Sequence, residues 1–331
     1  MQMTLEYDIE VLSNAVARGD RRGLARGITL VESDLPEHQA RGEALLTALL
    51  PLTGGATRLG ISGAPGVGKS TFVEAIGMSV VKAGKRVAVL AIDPSSRLSG
   101  GSILGDKTRM DKLGRHPSAF VRPSSAGKTL GGVARRTREA ILLCEAAGFD
   151  VVIVETVGVG QSEATVANMV DIFLLLIAPG GGDELQGIKR GIVELVDLII
   201  VNKCDGDLKS AAGRIAADYH GALGLLRSTS PHWQPEVAQC SALEGVGIDE
   251  VWASVGRCVE ALRLGGDLSR RRTLQLRDWM VQEVTEGVLD NLRRDKMAAA
   301  LTKKLETEVS ARRILPPVAA QQIRDAFFGQ R

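Results

Sequence analysis

Short, strongly apolar runs alternate along this chain with longer stretches in which apolar residues recur every three to four positions. The runs lie near residues 58–62, 86–92, 119–122, 151–154, 172–178, 198–201 and 237–240. Each has strand length, and Val151-Val-Ile-Val154 and Ile172-Phe-Leu-Leu-Leu-Ile-Ala178 are apolar throughout. The alternation predicts an α/β fold: a mainly parallel sheet with helices on both faces. Ahead of it, Leu5, Ile9, Leu12 and Val16 fall on one helical stripe, and residues 22–50 carry helical periodicity too. Behind it, Met280, Val284, Val288 and Leu292 repeat every four residues, the mark of a long amphipathic helix. Pro316-Pro317 ends a further helical stretch and leads to a last short helix ending near Phe328. Three regions are expected: an N-terminal helical extension over 1–55, the α/β core over 56–265, and a C-terminal helical segment over 266–331.

The loops after the strands carry the chemistry. Between Gly63 and Thr71 the chain reads Gly63-Ala64-Pro65-Gly66-Val67-Gly68-Lys69-Ser70-Thr71, a phosphate-binding loop of the form G-x-x-x-x-G-K-[ST]. It follows the run Arg58–Ser62 and opens a helical pattern, the context such a loop requires. Glycines let the main chain curl around phosphates, and converging N–H groups at a helix N-terminus answer their charge. Lys69 is expected to reach the β- and γ-phosphates, and the Ser70 hydroxyl to ligate Mg²⁺.

A second motif selects the base. Leu198-Ile-Ile-Val201 ends in Asn202-Lys203-Cys204-Asp205, an N-K-x-D sequence. A carboxylate at Asp205 accepts from both N1–H and the exocyclic amine of guanine. Adenine offers no such pair of donors, and a buried carboxylate left unpaired costs roughly 1–3 kcal/mol or more. Asn202 would hold N7 and the adjoining loop, and the Lys203 stem would cover the ring face. Ser241-Ala242-Leu243 resembles the S-A-x loop whose backbone N–H meets guanine O6. GTP and GDP are the expected ligands.

Between these motifs lie candidates for sensing the γ-phosphate. The run Arg86–Ile92 ends at Asp93, and Val151–Val154 ends at Glu155-Thr-Val-Gly158, a variant of D-x-x-G in which the Gly158 N–H can bond a γ-phosphate oxygen. Acidic residues at the C-terminal ends of parallel strands sit where α/β sheets bind ligands. Asp93 and Glu155 are the metal-side candidates, with Asp106 a third. Ras-like proteins carry a Gln directly after that Gly to orient the attacking water. Val159 stands there instead, so slow intrinsic hydrolysis is expected, with Asp93, Asp106 or a partner-induced rearrangement positioning water; Gln161 is a weaker candidate. Pro179-Gly-Gly-Gly182 breaks an apolar strand into a loop bearing Asp183, Glu184, Lys189 and Arg190, which suits a two-state switch.

Three segments resemble the MeaB/ArgK GTPases: Ala91–Met110, Val154–Glu163 and Pro179–Arg190. The resemblance spans about residues 1–330. It implies a SIMIBI-class homodimeric GTPase chaperone for adenosylcobalamin-dependent methylmalonyl-CoA mutase, gating cofactor loading and protecting or reactivating the mutase. It further implies that the Pro179–Arg190 loop, Gln186 included, is a third switch responding to the partner, and that residues 266–331 form a dimerisation arm rather than a helix packed on its own core. A small-molecule or protein kinase remains an alternative, as does the same chaperone role for another acyl-CoA mutase.

Composition narrows the rest. Of 331 residues 44% are hydrophobic, enough for a sizeable core, and the net charge of +2 points to neither nucleic acid nor an anionic membrane. Arg270-Arg-Arg272 reads as a solvated helix face or a phosphate neighbour. No apolar stretch reaches membrane-spanning length, and Glu6, Asp8 and Glu10 argue against a leader peptide, so a cytoplasmic protein is expected. Cys144, Cys204, Cys240 and Cys258 lack C-x-x-C spacing and read as reduced, mostly buried thiols. Asp218-Tyr-His-Gly-Ala-Leu-Gly224 resembles a cobalamin motif but has one residue too many before the glycine. Direct cobalamin binding through His220 is not expected.

Overall fold

The computed structural model describes residues 8–93, 110–125, 130–156, 162–179, 190–224 and 230–329. All seven apolar runs are strands: β1 (Thr57–Gly63), β2 (Val87–Asp93), β3 (Ala119–Ser125), β4 (Val151–Thr156), β5 (Ile172–Ile177), β6 (Leu198–Val201) and β7 (Glu236–Gln239). They form one sheet in the order β3-β2-β4-β1-β5-β6-β7, and every pairing is parallel. Every residue of β4, β5 and β6 is buried, as expected of strands covered on both faces.

The helices, in chain order, are α1 (Ile9–Ala17), α2 (Arg21–Val31), α3 (Pro36–Leu49), α4 (Lys69–Lys82), α5 (Asp111–Arg115), α6 (Leu130–Ala146), α7 (Ser162–Ala167), α8 (Arg190–Val193), α9 (Lys209–Leu223), α10 (Ile248–Leu264), α11 (Asp267–Arg294), α12 (Lys296–Ser310) and α13 (Pro316–Phe328). Local chemistry sets several starts. Asp8 and Asp20 accept from first-turn amides of α1 and α2, and Asp295 does so for α12. Pro36 and Pro316 open α3 and α13, where the missing N–H costs nothing.

Two hydrophobic clusters flank the sheet. One joins Val16, Leu24, Ile28 and Leu45 of the N-terminal helices to Leu143 of α6 and to outward residues of β2, β4 and β5. Gly23 lets α2 lie close against α1, since a Cβ there would sit 2.8 Å from the Ala15 Cβ. The other cluster packs α4 and α10 on the opposite face.

The chain divides into two compact units, Met1–Gln275 and Leu276–Arg331. In the second, Ala298, Leu305, Ala319 and Phe327 make a small core between α12 and α13. Met280, Val281, Val284 and Val288 remain exposed along the second half of α11. Among the described residues no helix is long and apolar enough to cross a membrane.

One sequence expectation fails within the first unit. Arg271 and Arg272 are half-buried and paired rather than lying on a solvated helix face. Arg271 pairs with both Asp197 oxygens at 2.9 and 3.0 Å, and Arg272 pairs with Asp171 at 2.7 and 2.6 Å. Both carboxylates are almost fully buried, and each also accepts a backbone N–H, from Phe173 and Arg58 respectively. Hydrogen bonding to Asp171, against the opposing pull of burial, holds the Arg272 pKa above its ordinary range. Arg271 and Arg272 thus anchor the root of α11 to the starts of β5 and β6, while Arg270 pairs with Asp267 of its own helix.

Candidate functional site

The sheet's C-terminal edge collects the sequence-nominated residues around β1, where the strand order reverses direction. β1 runs into the Gly63–Gly68 loop, and Lys69 begins α4. Gly63 lies so close to β5 that a Cβ would sit 2.4 Å from the Leu176 carbonyl. Gly68, with φ +92°, would press a Cβ to 2.8 Å from Asn202 Nδ2. Only glycine satisfies both the backbone and the space there. Ala64, Pro65 and Gly66 form the accessible lip, Val67 is buried beneath it, and Thr71 is exposed on the first turn.

Lys69 is largely buried, and its Nζ donates to the carbonyls of Gly63 at 2.7 Å and Ala64 at 3.0 Å. Burial pulls its pKa below the ordinary lysine value, opposed by the charges of Glu155 and Glu163. Ser70 Oγ donates to Glu155 Oε1 at 3.1 Å. Glu155 is 2% exposed. A hydroxyl and a carboxylate converging beside a phosphate loop are hard oxygen donors, a set that fits Mg²⁺ shared with phosphate oxygens. Asp93 ends β2, one residue beyond Ile92, which pairs with Thr156. Register therefore places Asp93 and Glu155 at neighbouring strand ends.

The base side is built on the ends of β6 and β7. Asn202 bridges two loops: its Nδ2 donates to the Val67 carbonyl at 2.9 Å, and its Oδ1 accepts the Ala242 N–H at 3.0 Å. Ser241 Oγ donates to Asp205 Oδ2 and accepts from the Glu244 N–H, which fixes the carboxylate's orientation. Lys203, in the left-handed region at φ +61°, sends Nζ to the Gly66 carbonyl at 2.7 Å. Leu243 projects outward at 82% exposure.

Several nominated residues lie outside the described ones: Asp106, Gly158, Asp183, Glu184, Gln186 and Lys189, together with Val159 and Gln161. Arg190 begins α8. His220 is exposed in the last turn of α9, away from the strand ends. Cys144, Cys240 and Cys258 are buried free thiols and Cys204 is half-buried. Burial pushes the Cys240 thiol up to about 12.

Sequence reasoning missed two contributors to the site and one tether between the flanking helices. Thr156 Oγ1 donates to Ser62 Oγ at 2.9 Å, a buried hydroxyl pair that ties the ends of β4 and β1 directly behind the loop. Glu163, 1% exposed at the start of α7, adds a second negative charge felt by Lys69. Asp249, at the start of α10, receives Ser79 Oγ of α4 at 2.6 Å. Only Glu163 left a sequence signal, as an acidic first-turn residue of the helix that follows the Glu155–Gly158 motif.

A strand, a Gly-rich loop and a helix, tied to a serine-oriented carboxylate at the neighbouring strand ends, have the arrangement of a P-loop GTPase. The chain belongs to the MeaB family: the model described as "Methylmalonyl Co-A mutase-associated GTPase MeaB" matches residues 24–297. A putative GTPase of Caulobacter vibrioides is 52% identical over 320 residues, covering 97% of this chain and 98% of that protein. The mouse methylmalonic aciduria type A homolog, a mitochondrial protein, is 44% identical over 332 residues, covering 96% and 79%. A crystal structure described as that of an LAO/AO transport system kinase superposes with a TM-score of 0.78 at 39% identity, covering 98% and 99%.

Proposed function

We propose that this GTPase is the chaperone of an adenosylcobalamin-dependent methylmalonyl-CoA mutase, using GTP binding and slow hydrolysis to gate cofactor loading and to protect or reactivate the mutase. The observation that carries the nucleotide choice is the Ser241–Asp205 bond, which presents a fixed carboxylate to the guanine edge. The family description and the mouse relative's name support the client. Lys69 binds the β- and γ-phosphates, the N–H groups after Gly63 cradle them, and Asp93, Asp106 or a partner-induced rearrangement orients water. Ser70, Glu155 and the aspartates would hold Mg²⁺, which supplies charge neutralisation at the phosphates. The corrinoid is held by the mutase and not by this chain. The protein acts in the cytoplasm without a nucleic-acid or membrane partner.

The Pro179–Arg190 segment, with Asp183, Glu184, Gln186, Lys189 and Arg190, is read as the loop that answers the mutase. Residues 266–331 are read as the dimerisation arm. The exposed row Met280, Val284 and Val288 supports that reading, because apolar residues every four positions on one helix face call for a partner.

The test is pull-down of the mutase in the GDP and GTP states, followed by assay of adenosylcobalamin transfer. Capture that depends on the nucleotide, with GTP-dependent transfer, is the expected result. ATP displacing GTP at equal concentration would instead favour the phosphotransferase reading, and capture of a different acyl-CoA mutase would change the client alone.

A further inference from the structure

Side chains alternate across β1 and β4. Leu59, Ile61, Val151 and Ile153 belong to the cluster on the α4 face, and Val152 and Val154 to the cluster on the other. The same alternation sends Glu155 to the α4 face, where its Oε1 accepts from Ser70 Oγ at 3.1 Å, and turns Ser62 and Thr156 to the face opposite. Gly60, two residues before Ser62, looks the same way: a Cβ there would meet Val166 of α7 at 3.0 Å. The β1–β4 register ends at Ile61↔Glu155. Ser62 and Thr156 are the next residue on each strand, both buried, and Thr156 Oγ1 reaches Ser62 Oγ at 2.9 Å. The hydroxyl bond therefore carries the pairing one step past the backbone ladder, where each strand delivers the site. Gly63, directly after Ser62, takes Lys69 Nζ on its carbonyl at 2.7 Å, and Glu155, directly before Thr156, takes Ser70.

We propose that Thr156, through its bond to Ser62, is a positioning residue for the metal side of the site: it fixes the spacing between Glu155 and the loop that begins at Gly63. The inference rests on the reading of Glu155 and Ser70 as the groups that hold Mg²⁺. Thr156 faces away from them and acts only by placing the strand end that carries Glu155. Mg²⁺ holds its oxygen ligands at about 2.1 Å in nearly ideal octahedra, so it tolerates little misplacement of a carboxylate. Valine has the shape of threonine but withdraws the partner of a buried hydroxyl, whereas serine keeps it.

The experiment titrates Mn²⁺ into the GDP-loaded full chain, read by electron paramagnetic resonance, with single-turnover GTP hydrolysis in Mg²⁺ and melting temperature measured beside it. Thr156→Val is expected to weaken Mn²⁺ binding about fivefold and to slow hydrolysis at limiting Mg²⁺ to match, while metal-free GDP affinity stays within about twofold. Thr156→Ser should bind Mn²⁺ within about twofold of the wild type. Ser62→Ala leaves the Thr156 hydroxyl the Ile61 carbonyl at 3.5 Å, so a smaller shift in the same direction is expected; it carries the test if Thr156→Val does not fold. A lower melting temperature with unchanged Mn²⁺ binding would overturn the proposal, because the bond would then only hold the sheet together. Thr156→Ser as impaired as Thr156→Val would overturn it too, since the hydroxyl would not be the cause. Glu155→Gln separates the two layers of inference. Weaker Mn²⁺ binding by Glu155→Gln with wild-type binding by Thr156→Val overturns the role of Thr156 alone. Wild-type Mn²⁺ binding by Glu155→Gln overturns the metal-side reading and the role of Thr156 with it.

Discussion

Lys203 Nζ donates to the Gly66 carbonyl at 2.7 Å, which bonds the Asn202–Asp205 motif, proposed to read the base, to the loop proposed to hold the phosphates. Asn202 makes a second such link through Val67. The proposed base reader and the proposed phosphate loop are therefore one connected framework, and changes on one side are expected to register on the other.

Asp205→Asn is expected to weaken GTP and GDP binding by roughly 10- to 150-fold, since charged hydrogen bonds contribute roughly 1.5–3 kcal/mol. The amide it introduces can donate to a 2-oxo group, so xanthosine nucleotides should bind the variant better than the wild type. Ser241→Ala leaves the carboxylate in place but unoriented, and a smaller loss of about fivefold is expected. Calorimetry with the three nucleotides checks both. A variant that treats guanosine and xanthosine nucleotides as the wild type does would remove Asp205 from the base site.

Lys69 should give stability an alkaline signature. Its pKa is lowered in the folded chain by burial and returns to about 10.5 on unfolding. Between those values the unfolded chain binds more protons, so this group makes stability rise with pH there, while below the window its penalty is fully present. Lys69→Met removes the titrating group. Urea melts should show a flatter rise toward pH 10.5 in the variant and no loss of stability at pH 7. Triphosphate affinity should fall by roughly tenfold or more.

Glu155→Gln keeps the size of the side chain and removes its charge next to Ser70. The Mg²⁺ concentration needed for half-maximal GTP hydrolysis is expected to rise about tenfold, with metal-free GDP affinity little changed. A titration with unchanged Mg²⁺ dependence would take Glu155 out of the metal side.

Arg271→Ala leaves Asp197 buried without its guanidinium. Breaking a buried pair from one side costs roughly 3–5 kcal/mol, and for a chain of this size that means a fall of several degrees in melting temperature. The double variant Arg271→Met/Asp197→Asn, whose side-chain amide oxygen still accepts the Phe173 N–H, should recover part of that loss. A melting curve for Arg271→Ala that overlays the wild type would show that the pair contributes nothing.

The contrast between what the chain disclosed and what it withheld follows sequence distance. The strands were legible because burial on both faces leaves contiguous apolar residues, as in Ile172–Ile177. The phosphate loop and Asn202–Asp205 were legible because each is a contiguous run whose spacing is dictated by the ligand. The pairings of Arg271 and Arg272 were not, since their carboxylates lie 74 and 101 residues away and a charge triplet looks the same in water as against a strand end. Glu74 was invisible for the same reason: its partners are the backbone amides of Lys112 and Leu113, 38 and 39 residues on, and an amide has no sequence signature. Helical periodicity over 22–50 hid the break at Glu32–Leu35, where Pro36 starts a new helix in place of a continuing one.

The N-terminal helices bear on how this enzyme can be handled. Val16, Leu24, Ile28 and Leu45 share one hydrophobic cluster with Leu143 and the strands that carry the catalytic loops. A truncation that begins at β1 would strip the greasy flank of the sheet bare. Such fragments should aggregate on expression, and fusion tags or labels are better placed on exposed positions elsewhere than spliced in before residue 56.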